Sequence, residues 1–493
     1  MVKWKSLFLV FGVGLCITAL EVASARLIAP FYGSTIYVWG GAIGTVLFAL
    51  AIGYWLGGKV IDKRPQPEIV SWTLIAAGGS TVLIPWVYSF VIAVVQRVEA
   101  LVSVPIAISV TVTMGVLFVV PIVALGMISP MMLRLTTTSI KDVGSWSGLL
   151  SGSATAGSIV GTFLSAYWTI PFFGTRLTIV VAGALLFVLS MIWHRQPISR
   201  TSVMFGVLVL TSALVTQTPF LPRRGLAAER QSAYQLVQVV EQRGTRYLLH
   251  DTGRGTQSVY TPGSSITNGP YDIFGYVPFM VQSEQRSRNV LLIGLGGANM
   301  PRLYEQLLGD TFQFSITAVE IDPVVVSMAK KYFALGELEV NVVVDDARHF
   351  LRTTNTIYDI IIVDAYTHET QIPPMLATQE FFQQTKQRLK PGGVLAINAL
   401  AFSESKYLPK FLSTIASVFP DVRETPFAEG ALNHFIVAGE SLGVSGVPTI
   451  MPTELQRYRE TVTQRLRSVT PAGDIYTDDR TDLDIRVQPF SDQ

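Results

Sequence analysis

The chain has 493 residues, of which 49% are apolar and 15% charged, and Cys16 is its single cysteine. Its length exceeds one domain, its mean hydropathy of +0.42 exceeds that of an ordinary soluble enzyme, and one cysteine excludes an intramolecular disulfide and a cysteine-rich metal site. Residues 1–220 hold 12 Lys and Arg against 5 Asp and Glu, whereas residues 221–493 hold 25 against 30. The two parts therefore suit different solvents, lipid for the first and water for the second.

The first part, residues 1–221, is predicted to be a helical membrane domain. Its apolar segments each approach or exceed the ~20 residues that cross a bilayer. They lie at residues 6–28, 37–60, 70–95, 101–133, 148–171, 174–193 and 202–220. The last segment is the weakest, so we predict about seven spans, give or take one. In the run SGSATAGSIVGTF, residues Ser153, Gly157 and Gly161 recur every four positions, which favours close packing of helices in lipid.

Residues 222–285 are predicted to form a linker and a small antiparallel lead-in sheet, which we place at about 232–262 because apolar and polar residues alternate there around glycine turns. From residue 286 to 493 short strands and helices alternate, which is typical of a doubly wound α/β, Rossmann-like domain. The continuous run IIIV indicates a parallel strand buried on both faces. Ligands of such sheets lie beyond the carboxyl ends of the strands.

The first strand of this α/β domain ends in a glycine turn, Gly294-Leu295-Gly296-Gly297. Glycine permits a tight turn and lets a ligand approach the backbone, and the next helix would point free N–H groups at that ligand. Asn299 stands where the dinucleotide pattern has its third glycine. A purely structural turn is therefore the alternative interpretation.

Acidic residues follow the next two strands. Glu320 closes the second strand, where a carboxylate can accept the hydroxyls of a ribose, and a solvated Glu is the alternative. Asp346 follows the third strand in VVVDDARHFL, where it can accept from an adenine amino group while Ala347 offers a backbone N–H. Capping of the following helix by Asp346 is the competing interpretation.

Asp364 ends the fourth strand, in YDIIIVDAYTHETQIPPML. A carboxylate that emerges from a buried strand into a crevice has few structural reasons to be there, so we interpret it as functional. Tyr366 and His368 lie beside it on a proline-containing loop suited to a lid. The sequence contains no H-x-x-x-H, CxxC or carboxylate cluster at metal spacing, and it therefore predicts no metal.

A series of segments along the chain carries a resemblance to a known group. They read IGLGGANMPR, VEIDPVVVSMAKKYF, VVDDARHFL, YDIIIVDAY, IPPMLATQEFF, LKPGGVLAINA and YTDDRTDLD. In this order they resemble the membrane-fused spermidine synthase-like proteins, in which several spans precede a polyamine aminopropyltransferase-type domain. The resemblance implies a class I adenosylmethionine-dependent transferase fold. It also implies an enzyme of polyamine biosynthesis that moves an aminopropyl group from decarboxylated S-adenosylmethionine to an amine acceptor.

The same resemblance implies roles for individual residues. Glu320 would hold the ribose, Asp346 and Ala347 the adenine, and Asp364 would orient or deprotonate the attacking amine. Gln235 in YQLV matches a ligand contact of the family.

Two acidic groups of the soluble family members are replaced here, by Gly297 in the glycine turn and by Thr367 after the catalytic position. Glu369 and Asp272 are the candidate replacements. Binding of an adenosyl donor is therefore better supported than binding of a diamine. The residues predicted to contact the amine substrate are Tyr366, His368 and Glu369.

Two other functions stay open. The first is a methyltransferase that uses S-adenosylmethionine itself, and the second is a transporter or sensor whose α/β domain only binds a nucleoside or polyamine. The expected partners are a small cationic amine and the lipid bilayer, with no nucleic acid, and a homodimer is left open.

Two indications disagree on the side of the membrane on which the α/β domain lies. Lys and Arg concentrate on the side of the N-terminus, so the positive-inside rule puts that terminus in the cytoplasm. An odd number of spans then puts the α/β domain outside, whereas the donor is made in the cytosol. We expect a multi-pass protein of the cell membrane, and the side on which the α/β domain lies stays undecided.

Overall fold

The structure is a computed structural model, and it describes residues 2–102, 104–137, 139–194, 200–253, 255–367, 372–401, 407–427, 432–443, 448, 451–471 and 473–480. The chain divides into two compact units, Met1–Pro222 and Arg223–Gln493. Within the described residues the first unit is helical, and the second combines helices with two sheets.

In the described part of the first unit there are eight α-helices, α1 to α8. They are Val2–Tyr32, Ile36–Lys63, Pro67–Leu101, Ile106–Thr136, Val143–Leu164, Ile170–Phe173, Thr175–His194 and Arg200–Val215. By length and composition, six helical segments of the described chain could cross a membrane, and the fifth of them runs through α5 and α6. The last predicted span corresponds to α8, which has only 16 residues. The number of long segments is thus six, at the lower limit of the sequence-based prediction.

Small residues allow α1 and α5 to pack closely, as the four-residue spacing in α5 predicts. A Cβ added to Gly157 would lie 1.9 Å from the carbonyl oxygen of Phe11. One added to Gly161 would lie 2.3 Å from the carbonyl oxygen of Leu15. Neither position has room for a side chain, so these two glycines set the distance between the helices.

The second unit begins with a four-stranded antiparallel sheet in the order β1-β2-β3-β4. Its strands are Leu226–Gln231, Leu236–Gln242, Thr245–His250 and Thr256–Tyr260. Arg243 and Gly244 both have positive φ, 52° and 80°, and form the two-residue loop between β2 and β3. The sheet begins six residues earlier than the predicted position 232.

The larger sheet has eight strands in the order β12-β10-β11-β9-β8-β5-β6-β7. Strands β5 to β12 are Ser287–Ile293, Gln313–Glu320, Val340–Val344, Tyr358–Val363, Leu389–Leu400, Asp421–Pro426, Asn433–Gly439 and Arg467–Ser468. The five strands from β7 to β9 in this order are parallel, which confirms the predicted Rossmann-like architecture. Strands β10, β11 and β12 extend the sheet in antiparallel fashion.

Short helices connect these strands. Helices α9 to α14 are Val277–Met280, Asn299–Arg302, Pro323–Tyr332, Ala347–Thr353, Gln379–Arg388 and Tyr407–Ala416. All six residues of β8 are buried, and alternate ones belong to different cores: Ile360 and Ile362 to one, Ile361 and Val363 to the other. Covering of both faces explains why the strand is apolar from Ile360 to Val363.

Candidate active site

The order of the strands creates a crevice where the sequence predicts a site. From β5 the chain continues to β6 and β7 on one side, and then returns to β8 and β9 on the other side. Ligands of such sheets bind where the order reverses, beyond the carboxyl ends of the strands. Here that point lies between β5, which runs into Gly294, and β8, which runs into Asp364. Glu320 ends β6, and Asp346 follows β7, so all four residues lie at the same edge.

The glycine turn brings the ends of β5 and β8 into close contact. Gly294 has a φ of +93°, and a Cβ there would lie 2.2 Å from the backbone oxygen of Asp364. Gly296 also has a positive φ, +52°. The Gly297 N–H donates to Ser258 Oγ on β4 at 2.7 Å. Conformation and space both require glycine at 294, so this turn needs its glycine even without a ligand.

Glu320 is bonded to the same turn. Its Oε2 accepts from the N–H groups of Leu295 at 3.1 Å and Gly296 at 3.4 Å, and its Oε1 accepts from Asp322 N–H at 3.1 Å. Burial raises the pKa of Glu320, while these backbone hydrogen bonds oppose the rise. A carboxylate has about four acceptor positions, and three are used here, so a fixed Glu320 can still accept from one ribose hydroxyl.

A cluster on the lead-in sheet lies beside Glu320. Ser232 Oγ donates to Asp322 Oδ2 at 2.6 Å, and the Gln235 amide also bonds to Asp322. Gln235 Nε2 lies 3.4 Å from His250 Nε2. Burial lowers the pKa of His250 to about 4, so this imidazole is neutral at physiological pH. Gln235, predicted as a donor contact, is thus held next to the strand end that carries Glu320.

Tyr234 was not predicted from the sequence, and three acidic residues of the site influence its phenol. Burial raises the pKa of Tyr234, and the negative charges of Asp322, Asp346 and Glu320 raise it further. All three carboxylates therefore lie within electrostatic range of the Tyr234 phenol. Its position beside Gln235 in YQLV was the only signal in the sequence.

Asp346 caps α12, as the competing interpretation held. Its Oδ1 accepts from the N–H groups of Arg348 at 2.9 Å and His349 at 3.0 Å. Asp346 itself is exposed, whereas Ala347 behind it is buried. The contact of Asp346 and Ala347 with an adenine stays a prediction, alongside the capping role.

Asp364 accepts from a side-chain amide of β9, which in turn accepts from one of β11. Asn398 Nδ2 on β9 donates to Asp364 Oδ1 at 2.9 Å, and Asn433 Nδ2 on β11 donates to Asn398 Oδ1 at 2.9 Å. Burial raises the pKa of Asp364 to about 6, although the bond from Asn398 opposes the rise. The carboxyl therefore changes charge near neutral pH, as suits a group that takes up a proton.

Two tyrosines flank Asp364. Tyr366, predicted to bind substrate, donates from its hydroxyl to the backbone oxygen of Asn398 at 2.7 Å. Tyr271, which the sequence did not single out, donates to the carbonyls of Thr256 and Gln257 at 2.7 and 2.9 Å. Burial first, and then the charge of Asp364, raise the pKa of both phenols well above its usual range.

Three other expectations concern the amine side of the site. His368 and Glu369 lie outside the described residues. Asp272 is not free to replace a lost acidic group, because it accepts from Thr267 N–H at 2.8 Å and pairs with Arg457 Nη2 at 2.7 Å. Within the described ranges, no group of three or more His, Cys, Asp or Glu residues is placed to hold a metal ion.

Comparisons with known proteins agree with this arrangement. Residues 276–429 match the family described as the spermine/spermidine synthase domain. A probable polyamine aminopropyl transferase of Bifidobacterium longum is 28% identical over 311 residues, covering 58% of this chain and 68% of the relative. A polyamine aminopropyltransferase of Vibrio vulnificus is 30% identical over 217 residues, covering 43% of this chain and 70% of the relative. The chain belongs to the spermine/spermidine synthase family.

Membership of this family confirms the predicted resemblance and makes the chain a transferase. Among solved structures, a spermidine synthase in complex with the transition-state analogue AdoDATO is similar with a TM-score of 0.40 at 19% identity, covering 48% of this chain and 83% of that one. The roles of Gln235, Glu320, Asp346 and Asp364 in binding and catalysis stay predictions.

Proposed function

We propose that the chain is an integral membrane aminopropyltransferase, which uses decarboxylated S-adenosylmethionine as donor and a small amine as acceptor. The observation that carries the proposal is the position of Asp364. Its carboxyl group lies at the reversal point of the sheet, and its backbone contacts the glycine turn to which Glu320 is also bonded. An adenosyl donor held by Glu320 would have its sulfonium near that turn.

The reaction needs little more from the protein than positioning and a base. The nitrogen lone pair of the acceptor attacks the aminopropyl carbon next to the sulfonium, the N–C bond forms, and the C–S bond breaks. Its electron pair neutralises the sulfur, and methylthioadenosine leaves. An amine is protonated in water, so it must lose a proton to attack, and Asp364 is the group proposed to receive it. Ionised Asp364 also attracts the cationic acceptor into the crevice.

The number of membrane crossings decides whether the α/β unit has access to cytosolic donor. Six crossings place the N-terminus and the α/β unit on the same side of a bilayer, whereas seven place them on opposite sides. With the N-terminus in the cytoplasm by the positive-inside rule, six crossings give the α/β unit access to cytosolic donor. We therefore propose that α8, with its 16 residues, does not cross. A reporter fused after Arg224 tests this, and activity of a periplasmic or extracellular reporter would contradict it.

The experiment that tests the reaction is a comparison of donors. Purified full-length chain in detergent is incubated with decarboxylated S-adenosylmethionine or with S-adenosylmethionine, each with a series of linear diamines. Mass spectrometry then distinguishes products heavier by an aminopropyl group from products heavier by a methyl group. We expect aminopropyl products and methylthioadenosine with the decarboxylated donor only. Methylated amine with the other donor would establish a methyltransferase instead, and binding without any product would favour a sensor or transporter.

Two matched variants localise the reaction. Asp364→Asn should lower kcat by at least about 100-fold, the usual loss when a catalytic acid or base is removed. Asp310→Asn, the same change at an exposed turn, should leave kcat unchanged. Full turnover by Asp364→Asn would remove this residue from the proposed chemistry.

A further inference from the structure

Behind Asp364 lies a chain of two amides that the transfer reaction does not itself require. Asn398 Nδ2 donates to Asp364 Oδ1, and Asn433 Nδ2 donates to Asn398 Oδ1, each at 2.9 Å. Asn398 as a whole residue is 5% exposed, so water has little access to compete for its amide. These three residues come from β9, β11 and the end of β8, and they are brought together only by the sheet.

The ionised carboxylate of Asp364 sets the direction of both hydrogen bonds between these three side chains. An ionised carboxylate can only accept, so Asn398 must turn its NH2 group towards Asp364. Its oxygen then faces Asn433, which must donate in turn. If Asn398 were reversed, two oxygens would face each other inside the protein. By donating to the Asn398 oxygen, Asn433 stabilises the orientation of Asn398 in which Asp364 receives a donor.

The sheet register holds Asn433 in this position. Asn433 pairs with Leu400 and Phe435 pairs with Asn398 across β9 and β11, so Asn433 is the diagonal neighbour of Asn398 on one face. The next residue, His434, points to the opposite face and pairs with Glu424. The backbone oxygen of Asn398 is itself bonded by the Tyr366 hydroxyl. Asn398 is thus fixed by its backbone and by both ends of its amide.

We infer that Asn433 is a positioning residue for the proposed transfer: by orienting the Asn398 amide it holds Asp364 in the ionised, hydrogen-bonded form that accepts a proton. This inference rests on the proposed function. Asn433 contacts Asn398 and acts through it, so it is not itself a catalytic residue. Among the described residues, the titratable groups within electrostatic range of Asp364 are the phenols of Tyr271 and Tyr366, and Tyr407 in turn is within range of Tyr366. From β5 the neighbour of Asp364 is the backbone at Gly294.

The test uses a nearly isosteric substitution to reverse the direction of the hydrogen bonds between these side chains. In Asn433→Asp the new carboxylate accepts from the Asn398 NH2 group, so that the Asn398 oxygen turns towards Asp364. Losing a donor and gaining a repulsive acceptor disfavours the ionised form of Asp364. In the pH profile of kcat/KM, the acid limb is the range in which activity falls as the pH is lowered. We expect this acid limb to move to higher pH by about one unit. At pH values below it, the variant then has about tenfold less ionised Asp364 than the wild type. Asn433→Ala, which releases Asn398 without reversing it, should move the limb less. The KM for the donor should change less than twofold.

Control experiments distinguish the effect of the Asn398 orientation from the effect of an added charge and from unfolding. Asn341→Asp places the same new charge at an exposed position of β7, and its acid limb should coincide with that of the wild type. Thermal melting in detergent checks that Asn433→Asp is folded. An unmoved limb in folded Asn433→Asp, or an equal movement in Asn341→Asp, would overturn the inference.

A second measurement keeps the inference independent of turnover. The infrared carboxyl band that disappears in Asp364→Asn is titrated in the wild type and in Asn433→Asp. The titration midpoint should be higher in Asn433→Asp by the same amount as the kinetic limb. If neither donor gives product but the midpoint moves, the proposed function fails while the positioning of Asp364 by Asn433 stands. If product forms and the midpoint stays, the positioning role fails alone.

Discussion

Replacing Asp364 by Asn should make the protein more stable while it removes activity. Burial raises the pKa of Asp364 from 3.8 to about 6, so the folded state binds a proton more tightly than the unfolded state. The gap corresponds to up to about 3 kcal/mol, at about 1.4 kcal/mol for each pH unit. Because the folded-state pKa is raised, this cost is absent below pH 4, grows as the pH rises through 4 to 6, and is complete above pH 7. Asn carries no charge and still accepts from Asn398, so the variant escapes the cost.

The measurement is thermal unfolding of the full chain in detergent at several pH values. At pH 8 Asp364→Asn should melt higher than the wild type by up to roughly 6–12 °C, since about 2–4 °C per kcal/mol is usual for domains of this size. At pH 5 the difference in unfolding free energy should fall to about half. The exposed Asp310→Asn should show no such pH-dependent gain. An Asp364→Asn variant that is less stable than the wild type at pH 8 would show that the carboxylate is stabilising, and the argument from burial would be wrong.

Four further predictions concern the site and the helices. In the wild type, kcat/KM for the acceptor should rise with pH through an apparent pKa of about 6, because only ionised Asp364 accepts a proton; a pH series at acceptor concentrations well below KM measures this. Glu320→Gln should weaken donor binding by about 10–100-fold, as for loss of a hydrogen bond to a charged group, in calorimetry with a donor analogue. Gly294→Ala should lower the melting temperature and abolish activity, because its Cβ would lie 2.2 Å from the Asp364 oxygen at a φ of +93°. Gly157→Ala should reduce the yield of folded protein, whereas Gly152→Ala, with nothing within 4 Å of its Cβ, should not, as gel filtration in detergent will show.

Each of these predictions has a result that contradicts it. A flat pH profile between 5 and 8 would mean that another group accepts the proton. Donor affinity that is unchanged in Glu320→Gln would leave this carboxylate with its structural bonds to the glycine turn alone. Wild-type stability in Gly294→Ala, or equal yields of the two α5 variants, would mean that the backbone moves apart more easily than the distances indicate.

The sequence by itself determined the features that depend on neighbouring residues. The apolar segments, the run IIIV, the glycine turn and the acidic residues after three strands are all local patterns, and the strand that ends in Asp364 is buried along its whole length. The order of alternating strands and helices also gave the parallel part of the sheet. The capping role of Asp346 was an open alternative because a helix start and a ligand contact use the same local pattern.

Only the tertiary structure decided which distant groups meet at these strand ends. Asn433 lies 35 positions from Asn398 in the chain, and Asn398 34 from Asp364, yet they bond within the sheet. Tyr271, which precedes the first parallel strand, lies within electrostatic range of Asp364, and Asp272, which the sequence offers as a replacement acidic group, is bound by Arg457 185 residues away. Local patterns carry no information on such pairs, because the register of strands remote in sequence is set by burial and backbone pairing across the whole sheet.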